Sequence, residues 1–264
     1  MSSWLEANKP DVLCLQETKV IDEDFPYKSF EKLGYQVSVY GQKSYNGVAI
    51  ISKSKFKNVK VGFHGELNEG EICEIYNSQK RIISALINGI RIINIYVPNG
   101  SSIPSEKFNY KIGWLKEFKQ YIIEQEKRNE FTCITGDFNI APKDEDIHNP
   151  NNFRERIMAS ELERKLLRDI VEERFIDSFR VFENSSGFWS WWDYRNNAYE
   201  LNKGWRIDHI YISNNLLPQL KSSVIDSSQR GNEKPSDHAP VMVNLDLGEA
   251  SELFDNEDDD LFAF

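Results

Sequence analysis

The stretch Phe131-Thr132-Cys133-Ile134 is short and apolar, and it leads directly into the run Gly136-Asp137-Phe138-Asn139. Such a segment, bounded by turn residues, predicts a β-strand that ends in a carboxylate and an amide. Asp137 and Asn139 flank Phe138 at a spacing of two, so their side chains leave one face of the strand while Phe138 enters the core. A simple Asx-turn at the strand end is the alternative for the same pair.

Other segments of the chain repeat this strand-like composition or show helical periodicity. The further predicted strands cover residues 12–15, 48–51, 92–97, 207–212 and 241–245. Helical spacing is expected from Ser105 through Phe108, Ile112, Leu115, Phe118 and Ile122, and from Ser160 through Leu162, Leu166 and Ile170. Ser160 with Glu163 is a capping box, which marks a helix start. Two stacked sheets with helices outside fit this order, although composition alone does not exclude a doubly wound sheet.

Three short polar runs, each at an end of a strand-like segment, suggest a common chemistry. They are Leu15-Gln16-Glu17, Gly136-Asp137-Phe138-Asn139 and Ser236-Asp237-His238. Splitting a phosphodiester needs a cation on the non-bridging oxygens, a group that orients or deprotonates water, and donors for the developing charge. Magnesium prefers oxygen ligands and usually takes one or two carboxylates. One run alone fits a solvated turn or a helix cap, but together they predict a magnesium-dependent phosphodiesterase.

Composition indicates a single domain in a reducing compartment. The chain has 264 residues and is 40% apolar, which suffices for a sizeable core, and residues 1–247 contain no linker-like run or fixed repeat. We therefore expect one domain over 1–247. No run of 18 apolar residues and no signal peptide is seen, which predicts a cytoplasmic protein. The three cysteines, Cys14, Cys73 and Cys133, have no CxxC spacing and are expected to be reduced and structural.

The charge distribution separates the C-terminus from the rest of the chain. The net charge is −10, but residues 249–264 hold seven acids and no Lys or Arg, which leaves 32 basic against 35 acidic residues elsewhere. A body with a net charge of −3 predicts weak, salt-sensitive, non-specific DNA binding.

Five motifs in one order carry a family resemblance. They are the three runs above, Tyr96-Val97-Pro98-Asn99-Gly100 and Arg206-Ile207-Asp208-His209. From about Trp4 to about Leu247 the chain resembles the exonuclease III family of bacterial abasic-site endonucleases. The resemblance implies a four-layer α/β (αββα) sandwich of the DNase I-like endonuclease/exonuclease/phosphatase type. Family members normally begin with an earlier strand that carries an Asn near the metal; it has no counterpart here, either because the native gene starts upstream, which we favour, or because the lineage has lost it.

The resemblance also implies roles for individual residues. Glu17 becomes the principal ligand of Mg²⁺, with Mn²⁺ as substitute; its alternative is a helix cap. Asp237 turns towards the metal, and Asp137 or Asn139 can also touch it. Either Asp137 or His238 removes the proton from water, and residues alone do not decide between them.

Further predicted residues support the reacting groups or bind DNA. Asp208 hydrogen-bonds His238, and Tyr96 reaches a phosphate oxygen unless it is an ordinary core tyrosine. The remaining histidines, His64, His148 and His209, are expected to be surface or packing residues.

The aromatic run from Phe188 to Arg195 is interpreted as the substrate signal, although such alternation also fits a packed strand. By resemblance Trp191, Trp205 and Ile207 wall a pocket for a flipped, base-less sugar, Arg195 enters the DNA and Asn99 contacts substrate. A narrow apolar pocket would exclude a normal nucleotide by size.

The resulting functional hypothesis is a monomeric DNA-repair phosphodiesterase that cuts double-stranded DNA 5′ of abasic sites and removes 3′ nucleotides or 3′ blocking groups. Two alternatives stay open. One is a phosphoinositide phosphatase or sphingomyelinase on the same superfold, which would not need the aromatic run. The other is a non-catalytic DNA-binding or adaptor protein.

The tail over 248–264 is expected to be a disordered acidic end. Its last residues, Asp258-Asp259-Asp260-Leu261-Phe262-Ala263-Phe264, also resemble the acidic tip of bacterial single-stranded DNA-binding proteins, which suggests a protein partner.

Overall fold

The computed structural model describes residues 2–63, 71–126, 131–153 and 155–248. In these ranges the strands are β1 Val12–Gln16, β2 Gln36–Tyr40, β3 Val48–Ser52, β4 Lys57–Val61, β5 Ile82–Ile87, β6 Ile90–Tyr96, β7 Phe131–Asp137, β8 Phe175–Asp177, β9 Asp208–Ser213, β10 Leu220–Ile225 and β11 Val241–Leu245. The α-helices are α1 Ser2–Asn8, α2 Tyr27–Glu31, α3 Glu71–Asn77, α4 Glu106–Glu126, α5 Pro150–Phe153 and α6 Glu161–Val171.

Every segment predicted as a strand is a strand, and both predicted helices form as α4 and α6. The capping box is confirmed, since the Ser160 side chain accepts from the Glu163 amide and the Glu163 side chain accepts from the Ser160 amide. One detail is wrong: Leu162 is 45% exposed, and the inward position of that first turn belongs to Glu163. At this inward position the Glu163 carboxylate contacts Lys111.

The strands form three sheets. The largest has the order β4-β5-β6-β7-β9-β8, in which only the β6/β7 pair runs parallel. The second has the order β1-β3-β2, and β10 with β11 makes a two-stranded third sheet. Among the described residues β1 pairs only with β3, and β11 pairs only with β10. Outward-facing edges of this kind leave backbone groups without strand partners.

Alternation along the strands builds the inner interface between the sheets. In β3, Val48 and Ile50 pack against Ile83 and Ile92 of the large sheet. Ala49 and Ile51 point the other way, towards α1 and α2, where they meet Leu5 and Phe30. This two-residue period is what a strand buried on both faces requires.

Helices α4 and α6 cover the opposite face of the large sheet. Trp114 and Phe118 of α4 and Leu166 of α6 pack against Ile93 and Ile134. The layer order is therefore helix, sheet, sheet, helix, and the predicted four-layer α/β sandwich is confirmed. Across the described ranges, α4 included, we find no helix with the length and apolarity needed to cross a membrane.

Candidate active site

The register of the large sheet brings three predicted site residues into one row. Tyr96 at the end of β6 is paired with Asp137 at the end of β7, and Asp137 is paired with Asp208 at the start of β9. Gly136 makes this close approach of the backbones feasible, because a Cβ there would lie 2.0 Å from the Ile95 carbonyl oxygen. Three neighbouring strands thus deliver a phenol and two carboxylates to one edge.

The turn after β7 fixes the carboxylate of Asp137. Asn139 has a left-handed backbone (φ 49°), its amide donates to Asp137 Oδ1 at 2.8 Å, and its Nδ2 donates to Asp137 Oδ2 at 3.0 Å. Phe138 points into the core, as predicted. Burial, followed by the negative charge of Asp208, raises the pKa of Asp137 to about 7. This carboxyl can therefore exchange a proton near neutral pH.

His238 and Asp208 form the predicted pair. The His238 Nδ1 lies 3.0 and 2.9 Å from the two Asp208 oxygens, and its Nε2 lies 4.0 Å from Asp137 Oδ2. Burial lowers the pKa of His238, but the carboxylates of Asp208, Asp137 and Asp237 outweigh it and raise the pKa to about 10. The imidazole is thus cationic at neutral pH and presents Nε2–H as a donor.

Glu17 lies on a loop rather than on the sheet, and it does not cap a helix. The hydroxyl of Tyr96 donates to its Oε1, and Lys19 Nζ lies 2.6 Å from its Oε2. Its backbone is left-handed (φ 53°), and the loop is held by the Thr18 amide, which donates to the Gly47 carbonyl. Burial works against ionisation, but hydrogen bonds from Lys19 and Tyr96 prevail and lower the pKa of Glu17. Glu17 is therefore an ionised carboxylate, 41% exposed.

In the described part of the chain, one group of ligand-type side chains lies close together, and it differs from the predicted metal set. Asp137, Asp208 and His238 bring one ligand atom each within 4.8 Å of one another. Of the predicted set of Glu17, Asp137, Asn139 and Asp237, only Asp137 belongs to this group. Asp237 Oδ2 instead accepts from Trp191 Nε1 at 3.0 Å. The donor set still fits a hard cation, because four carboxylates (Glu17, Asp137, Asp208 and Asp237) share this electrostatic neighbourhood with two cations, Lys19 and His238.

The predicted substrate residues lie in three settings. Trp191 and Trp205 are joined by an isolated antiparallel β-bridge. Trp205 is only 5% exposed and packs with Ile207 in a small cluster, and the half-buried Trp191 packs against the same cluster. Arg195 is 82% exposed and pairs with Asp193. Asn99 Nδ2 donates to Asn139 Oδ1 at 2.9 Å, which connects it directly to the turn beside Asp137.

Sequence reasoning misses several buried polar residues that hold these groups. Asn94 of β6 joins the two sheets: its Oδ1 accepts from Gln16, and its Nδ2 donates to the Leu15 and Ala49 carbonyls. These bonds fix the end of β1 directly before Glu17. Lys111 contacts both active-site turns. In the sequence, each of these residues could have been found as a polar residue at a position that the surrounding pattern places inside. Asn94 lies within a run of isoleucines, and Lys111 lies between Phe108 and Leu115.

The predicted histidines and cysteines outside the site behave mostly as expected. His209 is buried, with its Nε2 against the Ile140 carbonyl, and burial lowers its pKa to about 4. Cys14 and Cys133 are free thiols. His64 and the side chain of Cys73 lie outside the described residues.

Comparison with known proteins shows which family has this geometry. Residues 1–238 match the Endonuclease/Exonuclease/phosphatase family. The exodeoxyribonuclease III of Haemophilus influenzae is 36% identical over 257 residues, 93% of each protein. Solved structures agree: a 3′ phosphatase from Neisseria bound to a product DNA hairpin (TM-score 0.86, 35% identity, 92% of each chain) and an AP endonuclease from Archaeoglobus fulgidus (TM-score 0.86, 35% identity, 93% of each chain).

The chain belongs to the endonuclease/exonuclease/phosphatase family, and its relatives place it among the exodeoxyribonuclease III enzymes within that family. These relatives are hydrolytic nucleases, so the predicted family and enzyme class are confirmed.

Proposed function

We propose that this chain is a cytoplasmic DNA-repair phosphodiesterase that hydrolyses double-stranded DNA 5′ of abasic sites and removes 3′ nucleotides or 3′ blocking groups. The observation that carries the proposal is that Asp137 and Asp208 lie side by side at one edge of the large sheet and that His238 contacts both of them: its Nδ1 lies against Asp208, and its Nε2 lies 4.0 Å from the buried carboxyl of Asp137. The names of the relatives supply the substrate class. Residues 1–247 would form the single catalytic domain, acting as a monomer.

The proton steps follow from the two raised pKa values. Asp137, with a pKa of about 7, accepts the proton of the attacking water at Oδ2, and Asn139 orients that water or the phosphate. Cationic His238, held by Asp208 through Nδ1, donates from Nε2 to a non-bridging phosphate oxygen, where charge develops. This assignment makes Asp137 the base and His238 the electrostatic stabiliser. Burial raises the pKa of Tyr96 well above its usual range, so its phenol stays a donor.

Mg²⁺, with Mn²⁺ as substitute, is the cofactor that we propose. Glu17 and Asp237 would hold it, and Asp137 or Asn139 would supply further oxygen ligands. When bound, the ion supplies positive charge for the phosphate oxygens. Glu17 is suited to this because it is ionised, partly open to solvent and already in contact with a cationic group, the ammonium of Lys19.

The abasic sugar would occupy the region around Trp191, Trp205 and Ile207, and Arg195 would contact the DNA. The exposure of Arg195 supports a surface role, because its pairing with Asp193 costs little to break. Asn99 would contact the substrate next to Asn139.

The test is an incision assay on a duplex that carries one tetrahydrofuran abasic analogue, beside an undamaged duplex, with magnesium or with excess chelator. The proposal expects a single cut 5′ of the lesion that leaves a 3′-hydroxyl and that stops with the chelator. Binding without cutting would favour the adaptor alternative, and equal cutting of both duplexes would reject the abasic pocket. Cutting that persists in excess chelator would reject the metal.

A further inference from the structure

A buried ion pair lies directly behind the candidate active site. Lys111 of α4 and Glu163 of α6 are fully buried, and Lys111 Nζ lies 2.5 Å from Glu163 Oε1. Nothing in the chemistry assigned above uses either residue. Burying two charges costs several kcal/mol per ion, and well-packed apolar residues would often be at least as stable. Such a pair therefore calls for a reason beyond stability.

The ammonium of Lys111 has its three donors matched by three acceptors. Besides Glu163, it donates to the Asn139 carbonyl at 2.8 Å and to the Asn99 carbonyl at 3.2 Å. These two carbonyls belong to the turns that follow β7 and β6. One cation thus joins the two turns whose side chains meet through the Asn99–Asn139 hydrogen bond.

The carboxylate of Glu163 is equally saturated. Its Oε1 also accepts from the Met158 amide at 3.0 Å, and its Oε2 accepts from the amide and hydroxyl of Ser160. The Met158 carbonyl in turn accepts from the Ala141 amide, just beyond the Asn139 turn. Glu163 therefore connects Lys111 to the start of α6. Through Met158 it is also connected to Ala141, on the C-terminal side of the Asn139 turn.

Asn139 transmits this anchoring to the reacting groups. Its backbone is left-handed, and its carbonyl accepts a hydrogen bond from Lys111. Its amide and its side-chain Nδ2 each donate to one oxygen of Asp137. Gly100 leaves room for both Ile157 and Lys111, since a Cβ there would lie 2.7 Å from Ile157 Cδ1 and 3.1 Å from Lys111 Cδ. A shift of the Asn139 carbonyl would therefore move the carboxylate of Asp137.

We propose that Lys111 and Glu163 are a pair of positioning residues that set the Asn99 and Asn139 turns, and through them orient Asp137 for reaction. The catalytic consequence rests on the proposed function of Asp137. The mechanical part, that the pair orders the Asn139 turn, does not depend on any activity.

The experiment uses the full chain with three variants. Lys111→Met removes the ammonium but keeps an unbranched side chain, and Glu163→Gln keeps the shape of the carboxylate while removing its charge. The control is Arg91→Met, which removes another fully buried cation on β6. Arg91 pairs with Thr132 five residues along the strand from Tyr96, which places it on the order of 16 Å from the site edge.

Two readouts are compared at equal temperature. The first is kcat and KM for the abasic duplex: we expect kcat of Lys111→Met to fall about 10- to 100-fold with KM nearly unchanged, because small misplacement of a reacting group is costly. The second is amide hydrogen exchange of the segment 136–142, expected to become about tenfold faster in Lys111→Met while segment 82–87 is unchanged. Glu163→Gln should shift both readouts in the same direction by less.

The outcomes distinguish positioning of the Asn139 turn from a general effect on stability. If Arg91→Met lowers the melting temperature as much as Lys111→Met but keeps kcat and the exchange of 136–142, positioning is supported over general stability. Unchanged exchange of 136–142 in Lys111→Met, or equal kcat losses in Lys111→Met and Arg91→Met, overturns the proposal. If Lys111→Met does not fold, Glu163→Gln decides by the same criteria. A wild-type protein that does not incise would reject the proposed function, and the exchange comparison would still decide the positioning.

Discussion

The two halves of the candidate active site are built differently. In the sheet half, Asp137 and Asp208 are paired at one edge of the large sheet, and His238, from the loop before β11, is held there by its hydrogen bonds to Asp208. In the loop half, Glu17 has a left-handed backbone. Its side chain is 41% exposed, and its carboxylate contacts Lys19. This difference indicates a division of labour: the sheet half is preorganised for proton transfer and charge stabilisation, and the loop half is open to exchange one cation for another.

The largest effect should come from the sheet half. Asp137→Asn removes the only proposed proton acceptor while keeping the hydrogen-bonding shape, and we expect the incision rate to fall about 10²- to 10⁴-fold with DNA binding largely intact. Asp169→Asn, the same substitution at a surface ion pair with Lys165, is the matched control. Single-turnover rates and filter binding measure both. An Asp137→Asn enzyme within a few-fold of the control would remove Asp137 from the mechanism.

The pH profile should show two limbs that belong to the sheet half. Asp137 is active when deprotonated, so the rate rises with pH up to about 7, the raised pKa of this group. His238 is active when protonated, so the rate falls as pH passes about 10, its own raised pKa. Two pH units below the lower limb, the loss is about 100-fold. A measured kcat that is flat from pH 5 to pH 8 would contradict the assignment of Asp137 as base.

Alanine variants of Trp205 and Trp191 should distinguish a role in packing from a role in substrate recognition. Trp205 is buried in the cluster with Ile207, so Trp205→Ala should destabilise the fold by about 3–5 kcal/mol as well as impair incision. Trp191 is half-buried, and Trp191→Ala should lower abasic incision by about tenfold, equivalent to ~1.4 kcal/mol, with a smaller loss of melting temperature. Thermal unfolding and incision rates are compared for both. Equal losses of activity and stability in Trp191→Ala would favour the packing interpretation.

The smallest effect is expected on the surface. Arg195 is exposed and paired only locally with Asp193, so Arg195→Ala should leave the melting temperature unchanged within error, since such pairs are worth about 0–1 kcal/mol. We expect a few-fold rise in KM for the abasic duplex and a weaker salt dependence of binding, because one phosphate-directed charge is lost. Binding with an unchanged salt slope would show that Arg195 does not reach the DNA.

Local patterns were enough to predict the strand end that carries Asp137 and Asn139, but not the whole sheet half of the site. Strand composition, the two-residue spacing of Asp137 and Asn139 and the capping box at Ser160 are properties of neighbouring residues, so they are visible in the sequence. The alignment of Tyr96, Asp137 and Asp208 depends on strand register, which was not predicted; the family resemblance implied only the pairing of Asp208 with His238. Five strands had no predicted counterpart: β2, β4, β5, β8 and β10. Of these, β4 and β8 are only partly buried and carry little periodicity. Partial burial does not explain the omission of β5, which is almost fully buried.

Long-range polar contacts were not predictable from the sequence. Lys111 pairs with a residue 52 positions away, and the helical pattern of apolar residues gave no partner for it. Leu162 was expected inside for the same reason: periodicity does not show that a buried ion pair takes the inward position. The aromatic run did not predict which tryptophans are buried and which are partly exposed, because the burial of each ring depends on its neighbours in the fold.

The most direct test of the division of labour is the single-turnover incision rate of the abasic duplex as a function of Mg²⁺ concentration, for wild type, Glu17→Gln and His238→Asn. The account predicts that Glu17→Gln raises the half-saturating magnesium concentration about tenfold or more, with much of the maximal rate recovered at high magnesium. It predicts that His238→Asn lowers the maximal rate about 10²- to 10⁴-fold with the half-saturating concentration nearly unchanged. The opposite pattern, with His238→Asn rescued by magnesium and Glu17→Gln limited in maximal rate, would contradict it.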